Sequence, residues 1–168
     1  MKYLLTVIFV LTSLTLSASE EKQPPCSTED YRQFDFWIGE WEVFNPKGQK
    51  VGENTIKKIL GGCSLQENWR GASGNIGHSY NIYDRTKKQW HQTWVDNSGT
   101  LLELNGGMEG DSMIMSGVTQ GKGGDVMNTI SWTPDGDTVR QVWSVSTDNG
   151  EGWKVIFDGL YKKKGGES

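Results

Sequence analysis

The chain has 168 residues, 35% hydrophobic and 23% charged, with 17 basic against 21 acidic side chains and a formal net charge of −4. Such a length suits a single domain of ordinary size once a leader is removed. The acidic balance argues against a nucleic-acid partner, which would call for a basic face.

Residues 1–19 read as a secretory signal peptide. Lys2 gives a positive start, Leu4 to Leu16 an apolar core, and Ser17-Ala18-Ser19 a small-residue exit. The core holds Thr6, Thr12, Ser13 and Thr15 and falls short of the ~20 apolar residues of a spanning helix, so the mature chain is expected to lack a stable membrane span. A retained anchor is the alternative. The expected location is secreted and periplasmic. Residues 20–28 form a polar leader, and Gln23-Pro24-Pro25 before Cys26 lacks the small residues of a lipid-attachment site.

Cys26 and Cys63 are the two cysteines. In an oxidising compartment a bridge between them would tie the N-terminal segment to a strand, worth roughly 3–4 kcal/mol on a chain-entropy model. Two unpaired thiols, or one redox-active thiol, are the other reading.

The domain is placed at 29–164, opening with a helical turn within 29–38. Strands are predicted at 41–45, 51–60, 63–70, 78–84, 89–96, 100–105, 112–118, 126–132, 138–146 and 153–163. Their short, regular spacing is that of a sandwich or barrel. The connectors Asn45-Pro46-Lys47-Gly48, Gly61-Gly62, Asp96-Asn97-Ser98-Gly99, Pro134-Asp135-Gly136-Asp137 and Asp148-Asn149-Gly150 carry residues that favour turns or positive φ. Short turns join antiparallel neighbours, and closure removes the exposed edges of a long meander. The prediction is therefore all-β: an up-and-down antiparallel barrel of about ten strands.

Eight tryptophans are many for this length. Because strand side chains alternate, Trp90, Gln92 and Trp94 share a face, as do Glu67 with Trp69 and Gln141 with Trp143. Two interiors fit these residues. One is a ligand cavity, where aromatics supply area and a few polar groups orient the guest. The other is a packed core whose polar atoms are satisfied internally.

Gly39-x-Trp41 opens the first strand after a short turn, a placement that resembles the calycin superfamily of lipocalins, fatty-acid-binding proteins and nitrobindin-like barrels. The segment from Phe34 through Trp41, Gly61-Gly62-Cys63, Glu67-x-Trp69, Trp90-x-Gln92-x-Trp94-x-Asp96, Arg140-Gln141-x-Trp143 and Tyr161 follow in order. Together they resemble a family of secreted bacterial proteins of unknown function with a calycin-like barrel. The resemblance implies that Trp41 closes the barrel base under a basic residue, here Lys162 or Lys163. Haem of the nitrobindin type would need a late proximal histidine, and none follows His91.

His78 and His91 are the only histidines, and a zinc site needs three or four ligands. No cofactor and no metal are expected, and His91, opposite in face to Trp90 and Gln92, is expected to face solvent or to be satisfied by neighbours rather than to act as a ligand. Ser146-x-Asp148-x-Gly150-x-x-Trp153 matches the Asp-box turn, in which Ser and Asp cap a hairpin and Trp packs beneath it. One copy without a blade-length repeat predicts a hairpin and no propeller.

The expected ligand-binding residues are Glu67, Trp69, Trp90, Gln92, Trp94, Gln141 and Trp143, with a small apolar or amphipathic molecule as partner. The second functional reading is an enzyme using the same cavity, with Glu67 as the best candidate acid or base, if burial raises its pKa, and Gln92 or Arg140 orienting the substrate. The alternative for it is a salt bridge or hydrogen bond across the barrel, for example with Arg140 or Arg70. An envelope interaction module with a solid barrel is the third functional reading.

Overall fold

The computed structural model describes residues 23–165. The leader reading for 1–19, and residues 20–22 of the segment after it, lie outside them.

Ten strands form the domain: β1 (Gly39–Phe44), β2 (Lys50–Ile59), β3 (Ser64–Gly71), β4 (Ile76–Asp84), β5 (Gln89–Asp96), β6 (Leu101–Glu109), β7 (Ser112–Gly121), β8 (Gly124–Asp135), β9 (Thr138–Ser146) and β10 (Lys154–Lys163). Each pairs antiparallel with its chain neighbours, and β10 returns to β1 from Trp41↔Lys163 to Phe44↔Leu160, closing the barrel. The predicted architecture holds, and β5 and β9 keep their predicted limits. β6 runs beyond its predicted end through Gly106 and Gly107, because pairing with Met115 and Ile114 of β7 overrides their poor strand propensity. Polar side chains cap the turns. Asn45 Oδ1 accepts from the backbone N–H of Lys47 and of Gln49, both at 3.0 Å, and Asp96 Oδ1 accepts from Ser98 at 2.9 Å and Thr100 at 3.1 Å.

Up-and-down order places the β2–β3, β4–β5, β6–β7 and β8–β9 connections at one end of the barrel and the others at the opposite end. The first end is plugged. The predicted helical turn crosses it as two short 3-10 turns, Glu29–Arg32 and Asp35–Trp37. Their aromatic side chains enter the barrel, where Phe34 stacks on Trp37 at 4.9 Å between ring centroids and meets Trp90 and Trp132 edge-on at 5.6 and 5.3 Å. Trp37, Trp41, Trp90, Trp132 and Tyr161 are all buried with it.

Gly39 and Trp41 belong to this plug. Gly39 has φ +152°, and a side chain there would begin 3.3 Å from the Trp41 indole, so the strand needs glycine at its entry. Trp41 Nε1 donates to the Trp37 carbonyl at 2.9 Å. Of the two lysines named for the basic role, Lys163 lies over Trp41, its Nζ 4.9 Å from the ring centroid, and Lys162 lies over Phe44 at 5.4 Å.

Cys26 and Cys63 form a disulfide across a sequence separation of 37. It fastens the N-terminal segment to the β2–β3 connection. Arg32 reinforces the seam by donating from one Nη atom to the Gly62 and Cys26 carbonyls, at 2.7 and 3.1 Å.

Candidate functional site

Alternation fixes which side chains point inward, and strand rise fixes how deep they sit, about 7 Å per inward step. From the plugged end toward the open one, β3 presents Leu65, Glu67 and Trp69, β5 presents Trp90, Gln92 and Trp94, and β9 presents Val139, Gln141 and Trp143. All three strands thus run apolar, polar, tryptophan. The interior is layered accordingly: an apolar base, a polar middle and an aromatic mouth.

Glu67 is buried in the middle layer, where Asn54 Nδ2 donates to its Oε1 at 2.6 Å and Ser79 Oγ to its Oε2 at 2.7 Å. Asn54 Nδ2 also lies 3.3 Å from the Tyr161 hydroxyl, which donates to Gln141 Oε1. On the other side Gln92 Nε2 donates to Asn81 Oδ1 at 2.7 Å, and Asn81 Nδ2 to Ser79 Oγ at 2.9 Å. Burial pushes the Glu67 pKa up to about 7, against the opposing effect of the bonds from Ser79 and Asn54. Burial, then the Glu67 charge, holds the Tyr161 hydroxyl well above its ordinary value.

A carboxyl raised from 4.5 in the unfolded chain to about 7 in the fold binds more protons when folded. Its contribution to stability is full below pH 4.5 and is lost as pH rises through about 7. The wild type is therefore expected to lose about 3 kcal/mol relative to Glu67→Gln between pH 4.5 and pH 8. Urea unfolding of both proteins at the two pH values checks this, and parallel pH profiles would exclude it.

Above this layer lies a cavity of about 290 Å³. Glu67, Gln92, Gln141 and Tyr161 form its floor, Trp69, Trp94, Trp143, Phe157, Leu102 and Ile130 much of its wall, and Gly71, Ser73 and Asn75 part of its rim. Six of the seven predicted ligand-binding residues therefore meet around one space. Trp90 does not. It is one inward step too deep, buried in the plug, with its Nε1 donating to Gln33 Oε1 at 3.1 Å.

Two strand glycines give the indoles their seats. A side chain at Gly52 would begin 2.5 Å from the Trp69 ring, and one at Gly77 would begin 2.1 Å from the Trp94 ring. Each ring thus occupies the space that a side chain on the neighbouring strand would fill. The Trp143 indole is held by its Nε1 donating to Asn128 Oδ1 at 3.0 Å. At the rim, Asn97 Nδ2 donates to Gly74 O and Asn97 Oδ1 accepts from Ile76 N, both at 2.9 Å, tying two mouth loops together.

Of the two alternatives for Glu67, the hydrogen bond across the barrel forms, to Asn54 and Ser79, and neither Arg140 nor Arg70 reaches it. Arg140 and Arg70 sit next to inward residues and so point outward, and Arg140 pairs with Asp158 through bonds of 3.0 and 2.7 Å. His91 also faces outward, within 2.8 Å of Thr93 Oγ1 and 3.0 Å of Asn105 Oδ1. Among the described residues no group of three or more His, Cys, Asp and Glu side chains could hold a metal ion. None of their helices is long and apolar enough to cross a membrane.

The Asp-box turn forms as a hairpin between β9 and β10. Ser146 Oγ accepts from Gly150 N at 2.9 Å, and Asp148 Oδ1 accepts from Ser146 Oγ at 2.7 Å and from Gly152 N at 2.9 Å. Trp153 departs from the motif's mechanics. It is 46% exposed, because the turn lies at the mouth, where the barrel offers no packed layer beneath it.

Asn54, Ser79, Asn81, Phe157 and Tyr161 were not among the predicted site residues. Phe157 and Tyr161 share an inward face two steps apart, which alternation would have shown. Asn54, Ser79 and Asn81 are polar residues facing inward on β2 and β4, the reverse of the usual pattern.

No protein-family model and no curated protein matches this chain.

Proposed function

We propose that this protein is a secreted, calycin-like barrel that binds a small apolar or amphipathic molecule in the open half of its interior. The observation that carries this reading is the cavity itself, an aromatic wall over a hydrogen-bonded polar floor. Ligand sites combine apolar area with a few orienting polar groups, and about 290 Å³ falls at the small end of their range, which favours a compact guest. The disulfide supports an oxidising, periplasmic compartment. Gly39, Trp41 and the lysine over the indole support the calycin reading.

Tryptophan fluorescence tests the proposal. Titration with a panel of lipids, isoprenoids and aromatics is expected to give a saturable change for at least one compound. The change should be lost in Gly77→Val, whose side chain must displace the Trp94 indole. A folded wild type that answers none of the panel would sink the reading.

A second reading, an enzyme using the same cavity, is favoured by one observation: Glu67 faces the cavity with its pKa raised to about 7, suited to proton transfer near neutrality. Gln92 would orient the substrate, and Arg140, which points outward, drops out of that role. Glu67→Gln would then abolish turnover while leaving binding intact.

A further inference from the structure

We infer that the cavity selects a cationic guest: a small amine or ammonium carried on an apolar body, its charged head at Glu67 and its body among the tryptophans. This deepens the binding reading above and rests on it.

The charge inventory of the cavity favours a cation. Glu67 and Tyr161 are the titratable groups on the cavity's lining, and no basic side chain joins them. Around Glu67 the packed strands contribute Asn54 from β2, Ser79 from β4 and, through Tyr161, Gln141 from β9 and β10's own hydroxyl. The basic residues of these strands are directed elsewhere. Arg70, His78, His91 and Arg140 take outward positions, Lys58 pairs with Asp35 at 2.6 Å in the plugged end, and Lys163 covers Trp41 there. A fatty acid or other organic anion would meet an unbalanced carboxylate and no counter-charge.

The balance of hydrogen-bonding groups also favours a cation. The Asn54 and Gln92 amides spend their N–H groups inside the network. On the floor the Gln92 carbonyl is left as an acceptor, and Glu67 keeps lone pairs beyond the two bonds it accepts. Only the Gln141 amide N–H groups offset them. The floor is thus rich in acceptors and poor in donors, the complement of an ammonium head with three N–H groups.

The wall adds to this preference. Trp69, Trp94, Trp143 and Phe157 present π-faces and edges above an anionic floor, and indole is the ring that attracts cations most strongly. An apolar body gains burial from the same surfaces.

The test uses three probes on the intact protein, read by tryptophan fluorescence: 2-phenylethylammonium, its neutral isostere propylbenzene, and phenylacetate. The ammonium, like a lysine side chain, stays protonated over the range used. At pH 8 it is expected to bind at least tenfold more tightly than propylbenzene, a difference of about 1.4 kcal/mol, with phenylacetate weakest. Because only the carboxylate form of Glu67 holds the cation, its affinity should fall roughly tenfold from pH 8 to pH 6, while that of propylbenzene stays level. Glu67→Gln should erase the preference and keep the neutral probe. Propylbenzene or phenylacetate binding as tightly as the ammonium to wild type at pH 8 would overturn the cation inference and leave the binding cavity standing. No response to these probes or to the wider panel would overturn both. The wild-type comparison decides even if the variant fails to fold.

Discussion

Trp37→Ala is expected to destabilise the protein by about 3–5 kcal/mol, the cost of emptying a fully buried aromatic site that cannot collapse. Trp37 has no exposed surface, stacks on Phe34 at 4.9 Å and contacts Trp132 and Tyr161 at 5.4 and 6.4 Å between centroids. Its loss removes one member of each pair and leaves the plug without its centre. Trp37→Phe is the informative companion. The indole Nε1 is buried without a hydrogen-bond partner among the described residues, so phenylalanine loses area and also an unsatisfied donor, and should cost much less than alanine. Equilibrium urea unfolding followed by near-UV circular dichroism measures both. An alanine variant within about 1 kcal/mol of wild type would show that the plug is not part of the cooperative core.

Removing the disulfide by Cys26→Ser with Cys63→Ser is expected to cost about 4 kcal/mol, the chain-entropy value for its separation of 37 residues. The bridge also anchors the segment that delivers Phe34 and Trp37, so the two changes act on one unit. Combined with Trp37→Ala, the serine pair should therefore cost less than the sum, with a coupling of roughly 0.5–3 kcal/mol. Unfolding of the four proteins of that cycle provides the measurement. Strict additivity would mean that the plug holds its place without the bridge, and a serine pair as stable as wild type would remove the disulfide from the stability argument.

The barrel was legible because its cues are local. Turn residues, alternation and short spacing mark the strands one by one, and closure follows from the need to cover edges. Most of the site was legible for a related reason. A polar residue two positions before a tryptophan on an otherwise apolar face recurs at Glu67, Gln92 and Gln141, and period-2 geometry sends each pair to the same side. Depth was the harder quantity. Trp90 and Trp94 look alike in sequence, yet one inward step separates a plug residue from a cavity wall, and only the N-terminal turns decide where the plug stops.

β4 shows a second limit. Its Ser79 and Asn81 are buried while Ile76, Tyr80 and Ile82 are exposed, so the rule that apolar side chains face inward assigns this strand the wrong way round. The partners that reverse it are Glu67 and Gln92 on the flanking strands, residues distant enough in sequence that no local pattern reveals them. The same holds for the seats under Trp69 and Trp94. Gly52 and Gly77 read as weak strand residues until the rings that need their space are known.

Layering along the barrel axis also bears on how such a protein can change. The side chains that lock the fold sit at the bridged end, and those that would choose a guest sit at the other, on strands already fixed by closure. Substitutions among the partly buried Trp94, Trp143 and Phe157 would then alter which guest the proposed site takes while drawing less than plug substitutions on the margin of stability that limits most mutational paths. The chain thus keeps its robustness and its adaptability in different places, which makes the mouth a natural starting point for redirecting the barrel toward new small molecules by directed evolution.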